Sequence, residues 1–266
     1  MDLSFIILTW NSEKYISECL TSIINCLGKR EIKYEVYIID NGSTDKTNEI
    51  IEGYKENHPS QIKYIGFNRN TGTTYSRNCG LRQASGKFIC VMDSDVILKD
   101  GVMQRLMSVL ESDKNAGLVV PRLVYGNGGF QKSTDNFPTL ISKISRYFFL
   151  KLIDKEKESP NEAGVAYSPV DYAISAFWLF RRQLLDEVGF LDEKIFYAPE
   201  DVDYCLRIWK YGYRIYYVND VTAVHDAQEI SRNFKFNKAA YEHIKGLLYY
   251  FKKHKYLVNK PVFKDN

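Results

Sequence analysis

Within its first 120 residues the chain switches repeatedly between two hydrophobic periodicities, and this alternation constrains its fold more than any other feature. Leu3–Thr9, Tyr34–Ile39, Ile62–Phe67 and Lys87–Met92 are short runs rich in Ile, Val, Tyr and Phe that read as buried strands. Between the first two, Tyr15/Ile16, Cys19/Leu20, Ile23/Ile24 and Leu27 recur at helical spacing, and Gly28 stops the helix. Thr44–Tyr54, behind the cap candidates Ser43 and Thr44, fills the second gap. Thr73–Ala84 fills the third, and Val102/Leu106/Leu110 with Met103/Met107 mark a fourth helix. Strands alternating with helices predict a parallel sheet with right-handed crossovers. At 266 residues the chain suffices for one large α/β domain, or such a domain with a modest extension.

Downstream the pattern breaks. Residues 122–169 read as a long irregular excursion, with Gly126-Asn127-Gly128-Gly129 and the Lys/Glu-rich Lys155–Glu158, too poor in apolar periodicity to own a core. Regular structure resumes with Val170–Phe180, a helix at Arg182–Val188, a helix at Asp201–Tyr211 closed by Gly212, and the strand Tyr213–Val218. Asn237–His254 reads as an amphipathic helix, with Ala240, Ile244, Leu247/Leu248 and Phe251 on one side and lysines on the other. Its basic end, Lys252-Lys253-His254-Lys255, suits contact with anionic lipid or simple solvation.

Composition narrows the function classes. A net charge of +3 gives no case for a nucleic-acid partner. Cys19, Cys26, Cys79, Cys90 and Cys205 are scattered and odd in number, as free thiols in a reducing cytoplasm would be. The chain opens almost at once on strand-like residues with no basic leader, so no signal peptide is expected. No apolar run reaches the ~20 residues of a membrane span; the nearest, Ile144–Ile153, is broken by Arg146 and Lys151. The 20 Tyr and 15 Phe suit sugar rings and lipid headgroups, but ordinary core and surface packing is the simpler account of them.

In open parallel sheets ligands bind outside the carboxyl ends of the strands. Here the first strand is followed by Thr9-Trp10-Asn11, the second by Asp40-Asn41-Gly42-Ser43-Thr44-Asp45 and the fourth by Asp93-Ser94-Asp95, which together describe a polar cleft. The common nucleotide fingerprints are missing: Gly126-Asn127-Gly128 lacks the final glycine of G-x-G-x-x-G and opens no helix. Gly80 to Gly86-Lys87 has one residue too many for a P-loop and ends in Phe88, and HExxH is absent. Dehydrogenases, P-loop NTPases and zincins therefore drop out. Two carboxylates one residue apart at a strand end can share one hard cation, or can simply cap the helix that starts near Asp100.

These segments, in their order along the chain, resemble family 2 of the inverting glycosyltransferases, which have the GT-A fold. The resemblance rests on Thr9-Trp10-Asn11, the Asp40–Asp45 turn, Asn70-Thr71-Gly72…Arg77-Asn78-x-Gly80, Asp93-Ser94-Asp95, and Val188-Gly189-Phe190-Leu191-Asp192-Glu193…Glu200-Asp201-Val202-Asp203…Arg207. It covers roughly residues 3–225, and the late block is most similar to the branch containing bacterial rhamnosyltransferases of polysaccharide assembly. It implies an α/β fold with a largely parallel central sheet flanked by helices. A Rossmann-like nucleotide-sugar half would span residues 1–121 and an acceptor half 122–230, with the basic helix and tail at 231–266.

The resemblance also implies roles. Thr9, Asn11, Asp40, Asn70, Arg77, Asp93 and Ser94 would bind a UDP- or dTDP-sugar, with Asp40 accepting the N3–H of the base or, alternatively, closing an Asx turn with Ser43 or Thr44. Arg77 and Asn78 would support the nucleotide and the loop bearing Asp93 and Asp95, or form a structural ion pair. Asp95 would be the main ligand of Mn2+ or Mg2+, with Asp93 shared between ribose and metal and His225 as a third ligand or a structural histidine. Asp201 would be the general base toward a glycan or lipid-linked acceptor. Glu200 competes for that role or positions the acceptor, while Asp203, four before Arg207, is expected to form a surface pair. The sequence departs from the branch at Ser175-Ala176-Phe177-Trp178, where Ala176 and Trp178 would narrow the donor-sugar or acceptor pocket. Two rivals remain. A nucleotidyltransferase needs a glycine-rich basic loop where Thr9-Trp10-Asn11-Ser12 stands, and a non-catalytic binding subunit is at odds with intact Asp93, Asp95 and Asp201.

Overall fold

The parallel half of the sheet forms as its periodicities demand. In the computed structural model, which describes residues 1–28, 30–142, 165–226 and 238–263, four strands lie in the order β3-β2-β1-β4. They are β1 (Leu3–Thr9), β2 (Tyr34–Asp40), β3 (Ile62–Gly66) and β4 (Phe88–Asp93). All three pairings are parallel. The helices α1 (Ile16–Leu27), α2 (Thr47–Asn57) and α3 (Thr73–Leu81) connect them. β1 and β2 are flanked on both edges and covered on both faces, which is why they are apolar runs rather than alternating ones. Leu3, Phe5 and Ile7 of β1 enter the core with α1, while Ile6 enters the opposite core. A Cβ on Gly80 of α3 would come within 2.6 Å of Ile39 and 3.1 Å of Ile6, so the glycine lets that helix lie close to the sheet.

The second half is mixed. β5 (Val96–Ile97) and α4 (Val102–Ser112) lead into β6 (Ala116–Val124), a strand that the hydrophobic pattern alone did not single out. The expected division at 121/122 falls inside it. Pro121 sits in this interior strand because its neighbour's register breaks there, between Val218 and Thr222. The excursion is less irregular than expected: it holds β7 (Phe130–Gln131), β8 (Thr134–Asp135) and β9 (Tyr167–Pro169). Lys155–Glu158 and the Ile144–Ile153 stretch lie outside the described residues.

Val170–Phe180 is two strands, β10 (Tyr172–Ala173) and β11 (Phe177–Arg181), separated by Ile174–Ala176. β11 inserts antiparallel between β4 and β6. After α5 (Gln183–Glu187) and α6 (Glu200–Lys210), β12 (Arg214–His225) continues past the expected Val218 and ends on His225. The full order is β3-β2-β1-β4-β11-β6-β12-β5. The architecture is therefore α/β as expected, with a largely parallel sheet made mixed by β11 and the outer strands. α7 (Lys238–His254) packs back on this half through Tyr250 and Phe251. The expected boundary at 230/231 and the side chain of Ala240 lie outside the described residues.

Candidate active site

Register brings the polar strand ends into line. Leu8 faces Asp93 across one ladder, Thr9 faces Asp40 across the other, and Asp40 faces Gly66. Thr9 is buried, and its Oγ1 has no hydrogen-bond partner. Asn11, at φ 50°, takes the left-handed conformation that Asn tolerates better than most residues. Its N–H donates to Ser43 Oγ and its Oδ1 accepts from Thr44 N, both at 2.8 Å. Asp40 is fully buried and accepts from Ser43 N at 3.1 Å and from Ser43 Oγ, which is the Asx turn. Exposed Asn70 accepts from Asn41 Nδ2 at 3.1 Å and Gly72 N at 3.0 Å. Ser94 is buried and bonded to Ser12 Oγ at 2.8 Å. Thr9, Asn11, Asp40 and Ser94 thus share one edge, with Asn70 tied in through Asn41.

Arg77 joins the two halves of the site. It is 2% exposed, on the α3 face that Gly80 lets approach the sheet. Its guanidinium reaches Asp93 Oδ1 at 2.5 Å, Ser175 Oγ at 2.6 Å, Ser175 O at 3.2 Å and Glu200 Oε1 at 3.3 Å. Burial raises the Asp93 pKa, and Arg77 opposes it. Neighbouring Asn78 turns elsewhere: its amide holds Leu191 and Glu193, so it supports that turn rather than the Asp93–Asp95 loop. Glu200 does not face a cleft, as an acceptor-positioning residue would; it is buried against Arg77 and accepts from Ser175 Oγ at 2.9 Å. Ser175 stood out in the sequence only as the start of the stretch that departs from the branch, and its pairing with Arg77, 98 residues away, left no local signal.

Burial, reinforced by the Asp201 charge, pushes the Glu200 pKa up from 4.5 to about 8. The folded state therefore holds a proton that the unfolded chain releases between those values. Stability contributed by the neutral acid is full below about 4.5 and lost as pH rises through about 8. Glu200→Gln, neutral throughout, should flatten the fall in thermal midpoint between pH 5 and 8. An unchanged slope in thermal melts across that window would remove this assignment.

Asp93, Asp95 and His225 each offer a ligand atom, and these atoms lie within 4.8 Å of one another. Asp95 Oδ1 is buried without a hydrogen-bond partner, although His225 Nε2 is 3.3 Å away. An orphaned buried carboxylate oxygen beside an imidazole nitrogen fits a divalent cation. Burial pulls the His225 pKa down, but Asp95, Asp93 and Asp226 outweigh it and hold the ring above its usual value. The other ring nitrogen, Nδ1, lies 2.8 Å from Gln131 Oε1, a residue the sequence alone gave no reason to choose.

The acidic block opens α6. Asp201, half-buried in the first turn, is the one carboxylate of that turn not enclosed by the core. Asp203 is 0% exposed, so its pairing with Arg207 is a buried one rather than the expected surface pair. It also accepts from Lys253 Nζ at 2.6 Å and His254 Nε2 at 2.8 Å. Burial alone would raise its pKa, yet His254, Arg207 and Lys253 bring it down to about 2. Lys253 and His254 thus turn inward, contrary to the expected lysine-bearing outer face. On α7, a Cβ at Gly246 would lie 2.0 Å from Ala198 O, so the helix backbone rests on the loop just before Glu200. Trp178 is enclosed: it is 1% exposed, stacks on Tyr204 at 5.7 Å and donates Nε1–H to Ala173 O, because β11 points it beneath α6. Ala176 is buried too, and its carbonyl accepts from Asp93 N at 3.0 Å.

The profile of one family, described as "Glycosyl transferase family 2", matches residues 4–189. The chain is 25% identical over 215 residues to the poly-beta-1,6-N-acetyl-D-glucosamine synthase of Staphylococcus epidermidis, and 26% identical over 215 residues to the synthase of that name from Staphylococcus aureus strain COL. Each match covers 81% of this chain and 47% of the relative, so the chain spans about half the length of these relatives. Among solved structures, S. aureus TarS 1–349 in complex with UDP-GlcNAc superposes with a TM-score of 0.58 at 23% identity, covering 88% of this chain and 62% of that one. GalNAc-T7 with UDP, GalNAc and Mn2+ superposes with a TM-score of 0.65 at 16% identity, covering 84% and 43%. At such identities the likeness is one of fold, and that fold is GT-A.

Proposed function

The chain belongs to glycosyl transferase family 2, and from that premise we propose that it transfers a sugar from a UDP-sugar to a glycan or lipid-linked glycan acceptor with inversion. UDP-N-acetylglucosamine is the first candidate donor, because the S. aureus TarS structure holds it. The observation that carries the reading is Arg77, which ties Asp93 of the acidic turn to Glu200 and so fixes the helix of Asp201 beside the Asp93–Asp95–His225 cluster.

In this mechanism the nucleotide lies along the strand ends, among Thr9, Asn11, Asn70, Asp93 and Ser94. Asp40 organises the turn beneath it, and its contact with the base N3–H rests on the family resemblance. Asp95, Asp93 and His225 would hold the divalent ion, Mn2+ more readily than Mg2+ because imidazole suits Mn2+ better. When bound, that ion supplies Lewis-acid neutralisation of the departing diphosphate. Asp201 takes the proton of the acceptor hydroxyl as its oxygen bonds to the anomeric carbon, while the bond from that carbon to the diphosphate oxygen breaks. One displacement from the face opposite the leaving group inverts the centre. Glu200 is held neutral and enclosed, and Asp203 is held by three cationic or donor groups, so neither suits the role.

UDP release from UDP-N-acetylglucosamine over an acceptor panel should require added Mn2+, stop with chelator and resume when the metal is restored. Turnover of dTDP-rhamnose instead would move the donor to the rhamnosyltransferase branch. Pyrophosphate release from UTP and a sugar phosphate would favour a nucleotidyltransferase, and tight binding without turnover a non-catalytic subunit.

No helix among the described residues is long and apolar enough to cross a membrane. Peripheral contact is supported by exposed Ile244, Leu248, Leu257 and Val258 beside exposed Lys252 and Lys255. Co-sedimentation with phosphatidylglycerol vesicles should therefore occur and weaken at high salt; binding equally to neutral vesicles, or to none, would remove this element.

A further inference from the structure

The excursion after β6 carries a residue for the metal site. β7 pairs with β6 so that Gln131 stands opposite Leu123, while β12 pairs with β6 with Val224 opposite Val124. This topology brings Gln131 and His225, 94 residues apart, into contact. Both are buried, Gln131 at 6% exposure. Gln131 Oε1 lies 2.8 Å from His225 Nδ1. An amide oxygen only accepts, so the hydrogen of this bond belongs to Nδ1. In the neutral ring the lone pair then falls on Nε2, the nitrogen 3.3 Å from Asp95 Oδ1. That oxygen has no other hydrogen-bond partner, and Asp93 offers a further ligand atom within 4.8 Å of both.

We infer that Gln131 is a positioning residue: its side-chain oxygen keeps the proton on His225 Nδ1 and so presents Nε2 to the divalent cation. The inference rests on the metal reading above, and extends it to a partner behind the ligand. Such partners typically set metal affinity by about 10- to 100-fold, because they fix the tautomer and orientation of the ring.

Two readouts other than turnover test it on the full chain. In nitrogen-15 spectra of metal-free protein, at a pH where the ring is neutral, His225 should carry its hydrogen on Nδ1. In Mn2+ titrations with UDP, followed by the electron paramagnetic resonance of free Mn2+, Gln131→Met should bind about 10- to 100-fold more weakly. Gln131→Glu, which keeps an acceptor at that position, should stay near wild type. A hydrogen on Nε2 in the wild type, unchanged Mn2+ binding by Gln131→Met, or equal losses in both variants would each overturn the inference. If wild type binds no Mn2+, the metal reading fails, and the assignment of the proton is still decided by the nitrogen resonances. Those resonances also decide alone if Gln131→Met does not fold.

Discussion

Asp201→Asn should lower sugar transfer by about 10²- to 10⁴-fold, the range expected for loss of a general base, and leave donor binding intact. The residue sits in the first turn of α6 among three carboxylates that the fold treats differently. Glu200 is enclosed by Arg77 and Ser175, and Asp203 by Arg207, Lys253 and His254. An amide cannot take the acceptor's proton, yet it matches the carboxylate in size, so the nucleotide edge should be undisturbed. Steady-state rates of UDP release, paired with calorimetric titration of UDP, separate the two effects. Full transfer by the variant would move the base elsewhere, and loss of donor binding would recast Asp201 as part of the nucleotide site.

Arg77→Met should lower stability by about 1–3 kcal/mol for each buried group left without its hydrogen bond, chiefly Ser175 and the neutral Glu200. For a chain of this size that corresponds to a thermal midpoint lower by about 10 °C. Asp93 would lose its anchor at the same time, so Mn2+ binding should weaken in the fraction that stays folded. Arg77→Lys should rescue little, since one ammonium cannot reach Asp93, Ser175 and Glu200 as the forked guanidinium does. A variant melting within about 2 °C of wild type would show that the network is not what joins the two halves.

The sequence was most legible where local pattern and tertiary role coincide. β1, β2 and β4 are apolar because they are covered on both faces, β3 at the sheet edge is only partly buried, and the polar residues that follow these strands mark one edge of the site. The resemblance added the acidic block, whose members sequence spacing could not tell apart. Glu200, Asp201 and Asp203 look equivalent on paper, and only their packing separates enclosed groups from the half-buried one. β6 escaped notice because Pro121 and Arg122 interrupt its apolar run, and the register break beside Pro121 is a property of its partner strand. Trp178 was misplaced because an aromatic side chain near a motif carries no sign of which sheet face it takes. Ser175 and Gln131 were out of reach for another reason: their partners are about a hundred residues distant, and no local periodicity reports such a contact.

The seating of Gly246 on Ala198 has a consequence beyond packing. α7 is, in thermodynamic terms, a ligand tethered to its own receptor, with Asp192 and Asp203 receiving Lys253, and Asp203 also receiving His254. Its occupancy depends on an effective concentration set by the connection, not on how much protein is present. The family match ends at residue 189, yet the proposed base, Asp201, and the helix that seats it both lie beyond that point. On the proposed mechanism, a minimal active unit would extend through α7.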